Sequence, residues 1–391
     1  MAYRQTHLFV LAPTSSPRMQ VGTAESEPGR LVTGWLDVTD LPTGTPERLP
    51  VLVAEGEDGG EGPTLWVTAG IHGNEVTGVA VAQDVMTDDL PGQIRGTVVC
   101  LPTLNPAGLR RNARTSYYDD EDPNRYFPDA DEESARPPSV QQLIDERIYE
   151  AFADSADALV DLHTAHVGSM PFLIRDRVLY GERRTEAAAR DLADDLHALV
   201  TAFGLPVVNE YAAEEYTEQR LQRSTAGAAL NDAGVPAFTA ELGGHAVVEE
   251  RTREAGVEGL RNVMRELGVL AGDPDPDAVG FESPVDFPVK RAVHPHAEES
   301  GVVRHRVEAG DVVAEGDVVA DVCTPHGDRK TTAVTDHDGY VLGRMHGVAA
   351  YENDALASMA VRDDGDLVVP RDPERSSGGD AGEGDANNGR A

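Results

Sequence analysis

Gly70-Ile71-His72-Gly73-Asn74-Glu75-Val76-Thr77-Gly78 follows directly on the apolar run Leu65-Trp66-Val67-Thr68-Ala69. An apolar run this short, closed by glycine, reads as a buried strand whose end opens into a loop carrying His-x-x-Glu. His72 and Glu75 lie one turn apart, so a ring nitrogen and a carboxylate can face one ion. Zinc takes this mixture of nitrogen and oxygen ligands, and a catalytic zinc uses three protein ligands and keeps one place open. The stretch therefore predicts a third ligand elsewhere. It too should follow a strand, because ligands of open α/β sheets gather outside the carboxyl ends of strands.

Two downstream segments repeat the pattern. Ala158-Leu159-Val160-Asp161-Leu162 is another short apolar run and leads straight into His163-Thr164-Ala165-His166. Either histidine can complete the ligand set; His163 immediately follows the strand. Pro236-Ala237-Phe238-Thr239-Ala240 then delivers Glu241 before Leu242-Gly243-Gly244. Plain rivals exist for each. Gly70 and Gly73 can serve only a tight turn, His163 can be a core histidine, and Glu241 can be a surface carboxylate.

The blocks GIHGNE, NPAG followed by NRYFP, DLHTA and TAELGG resemble the succinylglutamate desuccinylase and aspartoacylase family. The likeness spans roughly residues 20 to 270, and the set of blocks is far more specific than any one of them. It implies an α/β fold of the carboxypeptidase A-like kind, a mixed sheet flanked by helices. It also implies deacylase chemistry dependent on one Zn2+ per chain. Residue by residue, the resemblance makes His72, Glu75 and His163 the zinc ligands and Glu241 the general base. Arg114 becomes the arginine that polarises the carbonyl, and Asn124 with Arg125 the clamp on a substrate carboxylate.

Amide hydrolysis calls for the same residue types on chemical grounds. A metal lowers the pKa of water enough to make hydroxide at neutral pH. A carboxylate outside the ligand set must take the proton and hand it to the leaving amine. A fixed cation stabilises the oxyanion, and a guanidinium holds a carboxylate in two-pronged fashion. Arg110 and Arg111 stand close to Arg114, so any of the three can be a solvated charge. The family has a leucine where this chain has Pro123, directly before Asn124-Arg125, which should stiffen the loop. Arg220 and Arg223 offer a second carboxylate site or, equally, ordinary surface arginines.

Composition bounds the setting. The 69 acidic and 33 basic side chains leave a formal charge of −36. Lys290 and Lys330 are the only lysines, so 33 − 2 = 31 basic residues are arginine. Such self-repulsion strains a compact fold in dilute buffer and fades when the screening length shrinks to about 3 Å at molar salt. A halophilic, cytoplasmic protein is the expectation. Basic residues are not clustered, which argues against nucleic acid, and no run approaches a membrane span or a signal-peptide core. Cys100 and Cys323 read as reduced thiols.

Alternating strand-like and helix-like stretches predict an α/β domain over residues 1–280. Its strands fall at Arg30 to Val38, Val51 to Ala54, Leu65 to Ala69, Val98 to Leu101, Ala158 to Leu162, Pro206 to Asn209 and Ala237 to Ala240. Its helices fit Thr77 to Met86, Ser139 to Ala153 (with Ser139 as N-cap), Glu186 to Phe203 and Glu249 to Leu267. Residues 271–277 have linker composition. Residues 281–371 predict a β-rich domain whose Gly-Asp-punctuated pattern resembles the barrel-sandwich fold of biotinyl and lipoyl domains, although Lys330 lacks the flanks of an attachment lysine. This module is expected to cap or narrow the site's entrance, or to support assembly. His294, His296, His305, His326, His337 and His346 are not spaced as one metal site. Residues 372–391 predict a disordered acidic tail, and 119–138 a mobile loop or acidic insertion.

The leading expectation is a zinc-dependent hydrolase acting on the amide of a small N-acyl amino acid, with related esters open to the same attack. A metallocarboxypeptidase that trims peptide C-termini is the alternative, and a zinc carrier without catalysis the third class. Oligomeric state is unreadable.

Overall fold

The computed structural model describes residues 18–118, 121–129, 137–181, 183–345 and 347–372. His346, the stretch 130–136 of the loop and the tail beyond 372 lie outside the described residues.

Four strands, Thr97–Leu101, Thr64–Ala69, Ala158–Ala165 and Ala237–Gly244, lie side by side and parallel. All their residues but Ala165 are buried, as strands covered on both faces must be. They are the middle of a twelve-stranded mixed sheet. On one side it continues through Pro46–Glu55 to Arg30–Asp40. On the other it runs through Phe172–Arg175, Val207–Asn209, Val289–Val293, Ala357–Arg362, Gly339–Arg344 and Val312–Val313. Because the four central strands point the same way, their carboxyl ends share one edge. The loop after Ala69, His163 and Glu241 meet there.

The expected Val51 to Ala54 strand is longer, at Pro46–Glu55, because it pairs along its length with Arg30–Asp40. An edge hairpin can alternate charged and apolar residues, so only its apolar end stood out. Phe172–Arg175 carries too short an apolar run to read as a strand. It is held between Val207–Asn209, parallel, and Ala237–Gly244, antiparallel.

Helices flank the sheet at Val76–Val85, Val140–Phe152, Glu186–Phe203 and Glu250–Glu266. Ser139 caps its helix as expected: its hydroxyl accepts the Gln142 amide at 3.3 Å, and the Gln142 side chain accepts the Ser139 amide at 2.8 Å. Shorter helical turns at Pro106–Arg111, Ala213–Glu218 and Thr225–Ala228 were not legible, being too short for an apolar period. Among the described residues no helix is long and apolar enough to cross a membrane.

A β-rich C-terminal region is present, with a four-stranded sheet of Arg329–Val334, Val318–Cys323, Gly301–His305 and Ala349–Ala350. It is joined to the main body through the sheet itself, since Lys290 pairs with Asn209 in parallel register. A fully buried ion pair, Arg177 to Asp363 at 3.0 Å, adds a second tie. Arg177 also donates to the carbonyls of Tyr211 and Glu210 at 2.8 and 2.9 Å, so its burial is compensated. Lys330 is engaged with Glu299 at 2.8 Å. Cys100 and Cys323 are free and buried.

Candidate active site

The His72 loop is shaped by close packing. Gly70 adopts φ +65, and a Cβ on Gly73 would lie 2.1 Å from the Gly108 backbone, so the loop rests directly on the Pro106–Arg111 turn. The Glu75 amide donates to the His72 carbonyl at 3.1 Å, which turns both side chains to one side. His163 and Glu241 sit opposite each other on adjacent parallel strands.

The Nδ1 atoms of His72 and His163 and the Glu75 carboxylate converge: one ligand atom from each lies within 4.8 Å of the others, and all three residues are buried. The remaining ring nitrogens face outward onto carboxylates. His72 Nε2 meets Asp122 Oδ1 at 2.9 Å, and His163 Nε2 meets Asp161 Oδ2 at 2.7 Å. An ionised carboxylate can only accept, so each Nε2 carries the proton and each Nδ1 is left with a lone pair directed inward. Asp161 is fixed in turn by the Thr68 hydroxyl at 2.7 Å.

These residues fit a metal. His72 Nδ1 is buried without a hydrogen-bond partner, although Glu75 Oε1 is 2.7 Å away. With the ring proton on Nε2, two acceptors face each other across this gap, an arrangement that a second proton on the ring or a bound metal ion reconciles. His163 Nδ1 stands 3.0 Å from Glu75 Oε2, which also accepts the Thr164 amide at 3.0 Å. Burial pushes the Glu75 carboxyl up, but the two imidazoles outweigh it and hold it well below the usual range. Burial likewise opposes charge on His163, yet Asp161 and Glu75 raise its basicity.

The group lines a cavity of about 410 Å³ shared with Arg114, Asn124, Arg125, His166 and Glu241. Arg114 donates to Glu75 at 3.1 Å and to Asp122 at 2.9 Å; Arg110 is instead bound to Glu47 at 3.2 Å. Glu241 Oε2 is buried without a partner, and burial followed by the Glu75 charge raises its carboxyl pKa. Asn124 Oδ1 accepts from the Thr225 amide and hydroxyl at 2.8 and 3.0 Å. Among the described residues, Arg125 donates to the Asn124 carbonyl alone, at 2.6 Å. Pro123 opens a short 3-10 turn over Pro123–Arg125, and Asp122 caps it by accepting the Asn124 amide at 2.9 Å. Arg220 and Arg223 do not line the cavity; Arg223 instead binds the carbonyls of Phe127 and Tyr126 at 3.0 and 3.4 Å. His166 lines the cavity but stands outside the converging group.

Several members were missed from sequence. Asp161 had a signal: two residues before His163 on a strand, it shares its face. Asp122 had none, being placed by the loop. Asp176, Glu210 and Arg291 also line the cavity. Arg291 arrives on Val289–Val293 and pairs with Glu210 at 3.0 Å. Asp176 is 3% exposed, and burial and Glu210 push its carboxyl up to about 7. Among the described residues, His72, Glu75 and His163 are the one group whose ligand atoms converge for a metal. The rings of His294, His296 and His337 are neighbours, with His294 at 6.2 and 5.4 Å from the other two, but they do not belong to such a group.

Residues 61–267 match the succinylglutamate desuccinylase/aspartoacylase catalytic domain. An N-alpha-acetyl-L-2,4-diaminobutyric acid deacetylase of Halomonas elongata is 24% identical over 314 residues, covering 77% of this chain and 83% of its own. A succinylglutamate desuccinylase/aspartoacylase from Rhodobacter sphaeroides superposes with a TM-score of 0.68 at 21% identity, over 85% of this chain and 96% of that one. The product-bound ectoine utilization protein EutE (DoeB) from Ruegeria pomeroyi gives 0.67 at 22% identity, over 85% and 95%. The chain therefore belongs to the succinylglutamate desuccinylase/aspartoacylase family of deacylases.

Proposed function

We propose that the chain is a zinc-dependent hydrolase that cleaves the amide bond of a small N-acyl amino acid on a carboxypeptidase A-like sheet edge. The carrying observation is the convergence of His72 Nδ1, His163 Nδ1 and the Glu75 carboxylate in the cavity that also holds the unpartnered Glu241 Oε2. His72, Glu75 and His163 would hold the ion, one per chain. Bound there, zinc supplies Lewis acidity, which acidifies water and polarises a carbonyl.

The other steps belong to side chains. Glu241, its carboxyl raised by burial, accepts the proton of the attacking water and returns it to the departing nitrogen. Arg114 has N–H groups beyond those used by Glu75 and Asp122, and these stabilise charge on the carbonyl oxygen. Arg125 takes the substrate carboxylate, and Asn124, locked by Thr225, shapes the same wall.

The relative from Halomonas elongata acts, by its name, on an N-acetylated diamino acid, which makes that class the first to assay. The reading also places residues 1–280 as the catalytic domain, 281–371 as the β-rich domain and 372–391 as a tail. Free, buried Cys100 and Cys323 support a reducing, cytoplasmic setting, and the charge of −36 supports a salt-rich one. Incubation with N-acetyl and N-succinyl amino acids and with N-blocked peptides, followed by NMR, tests the assignment. Release of acetate or succinate with peptides left intact is expected. Trimming of peptide C-termini would favour a metallocarboxypeptidase, and no hydrolysis of either class would refute both.

A further inference from the structure

We propose that Asp176 is a specificity-determining residue that docks a positive charge on the substrate's side chain while Arg125 holds the substrate's carboxylate. The inference rests on the N-acyl amino acid reading above and narrows its substrate to those with a cationic side chain.

The cavity's charges can be assigned one by one. Glu75 faces His72, His163 and Arg114. Glu210 is satisfied by Arg291 at 3.0 Å and by the Tyr211 amide at 3.1 Å. Asp122 is shared among His72, Arg114 and the Asn124 amide. Glu241 is reserved for proton transfer. Apart from the imidazoles of His166 and His245, two cavity-lining ionisable groups remain, Asp176 and Arg125. Among the described residues neither forms an ion pair, with each other or with anything else. A buried charge without an opposite partner is costly and is retained where a ligand brings the partner.

Asp176 is also held ready. The Asn231 amide donates to the Tyr216 hydroxyl at 3.0 Å, which directs the phenol proton to the Asp176 carboxyl, its hydrogen-bond partner. Asn231 is anchored by the Leu179 amide and the Arg177 carbonyl at 2.8 and 2.9 Å. The charged or titratable groups facing Asp176 are Glu210, Tyr216, Arg125 and Arg291. Burial and Glu210 outweigh the two guanidiniums, so in the free protein its proton leaves only at about pH 7; an arriving ammonium displaces that proton. A ligand with one carboxylate and one ammonium matches the unpaired Arg125 and Asp176. In an N-acyl amino acid the α nitrogen is an uncharged amide, so the ammonium must lie on the side chain, as in an Nα-acylated diamino acid.

The test compares Nα-acetyl-2,4-diaminobutyrate, N-acetyl-2-aminobutyrate and N-acetylaspartate, which share a similar size and differ in side-chain charge. The wild-type protein should give the highest kcat/KM with the cationic compound. Asp176→Asn should lower the cationic-to-neutral ratio of kcat/KM about 30-fold, the worth of one hydrogen bond to a charged group. The wild-type KM for the cationic compound alone should fall as pH rises through about 7. An unchanged ratio in Asp176→Asn, or a wild-type preference for N-acetylaspartate, would overturn the proposal. Calorimetric binding separates the two readings. Asp176-dependent binding of the acetylated diamino acid without hydrolysis of any compound would sink the hydrolase assignment and keep the docking site. Hydrolysis insensitive to side-chain charge would do the reverse.

Discussion

Around His72, Glu75 and His163 the outward-facing atoms have partners: Asp122 and Asp161 hold the imidazoles, and Thr164 and Arg114 hold the carboxylate. Around Asp176 and Arg125, in the same cavity, opposite charges stand without ion-pair partners among the described residues. The difference separates two tasks. Ligand orientation must be complete before substrate arrives, because reorganisation during the reaction raises the barrier. Substrate selection works the other way, since a group left unsatisfied until the correct ligand binds penalises every ligand that cannot satisfy it.

Breaking the first region should have the largest effect. His163→Ala is expected to abolish metal retention and turnover together, read by elemental analysis alongside the NMR assay. Glu241→Gln leaves the converging atoms in place, so it should keep the metal and lose roughly 10²- to 10⁴-fold in kcat. A similar loss of metal would move Glu241 into the ligand set. Asp161→Asn removes the carboxylate behind His163 and should weaken metal affinity about 10- to 100-fold, measured by competition with a chelator.

The second region predicts a change of opposite sign. Asp176 releases its proton at about 7 in the folded chain against an ordinary 3.8. The folded state therefore binds this proton more tightly, and stability falls as pH rises between those values. Asp176→Asn removes that loss and should stabilise the ligand-free protein at pH 8 by on the order of 2 kcal/mol, read by denaturant melts at pH 5 and pH 8. Greater stability of the wild type at pH 8 would show that a partner already neutralises Asp176. The smallest effect belongs to neither region: molar salt should raise the melting temperature by about 1–2 °C, about 1 kcal/mol, through screening of the acidic surplus.

Sequence alone carried the architecture of the first region further than that of the second. The apolar runs ending at Ala69, Leu162 and Ala240 are each followed by chemistry-bearing residues, so their role as carriers of one site was legible, although His163 and Glu241 lie inside strands that run on to Ala165 and Gly244. Their shared edge follows from parallel pairing, which alternation of strands and helices implies. Asp161 was recoverable from strand alternation; Asp122 was not, because an irregular loop sets its direction. Arg291 could not be foreseen at the cavity. It lies beyond residues of linker composition, and only the Asn209 to Lys290 pairing continues the main sheet into it. Asp176 follows the unrecognised Phe172–Arg175 strand, and its isolation from cations is a property of packing that no spacing encodes.

The central claim, that three side chains share one divalent ion, is tested most directly by elemental analysis of the purified wild-type protein beside His72→Ala. The account predicts about one zinc per wild-type chain and essentially none in the variant. A wild-type protein that binds no metal when zinc is supplied, or a His72→Ala variant that binds it equally, would contradict it.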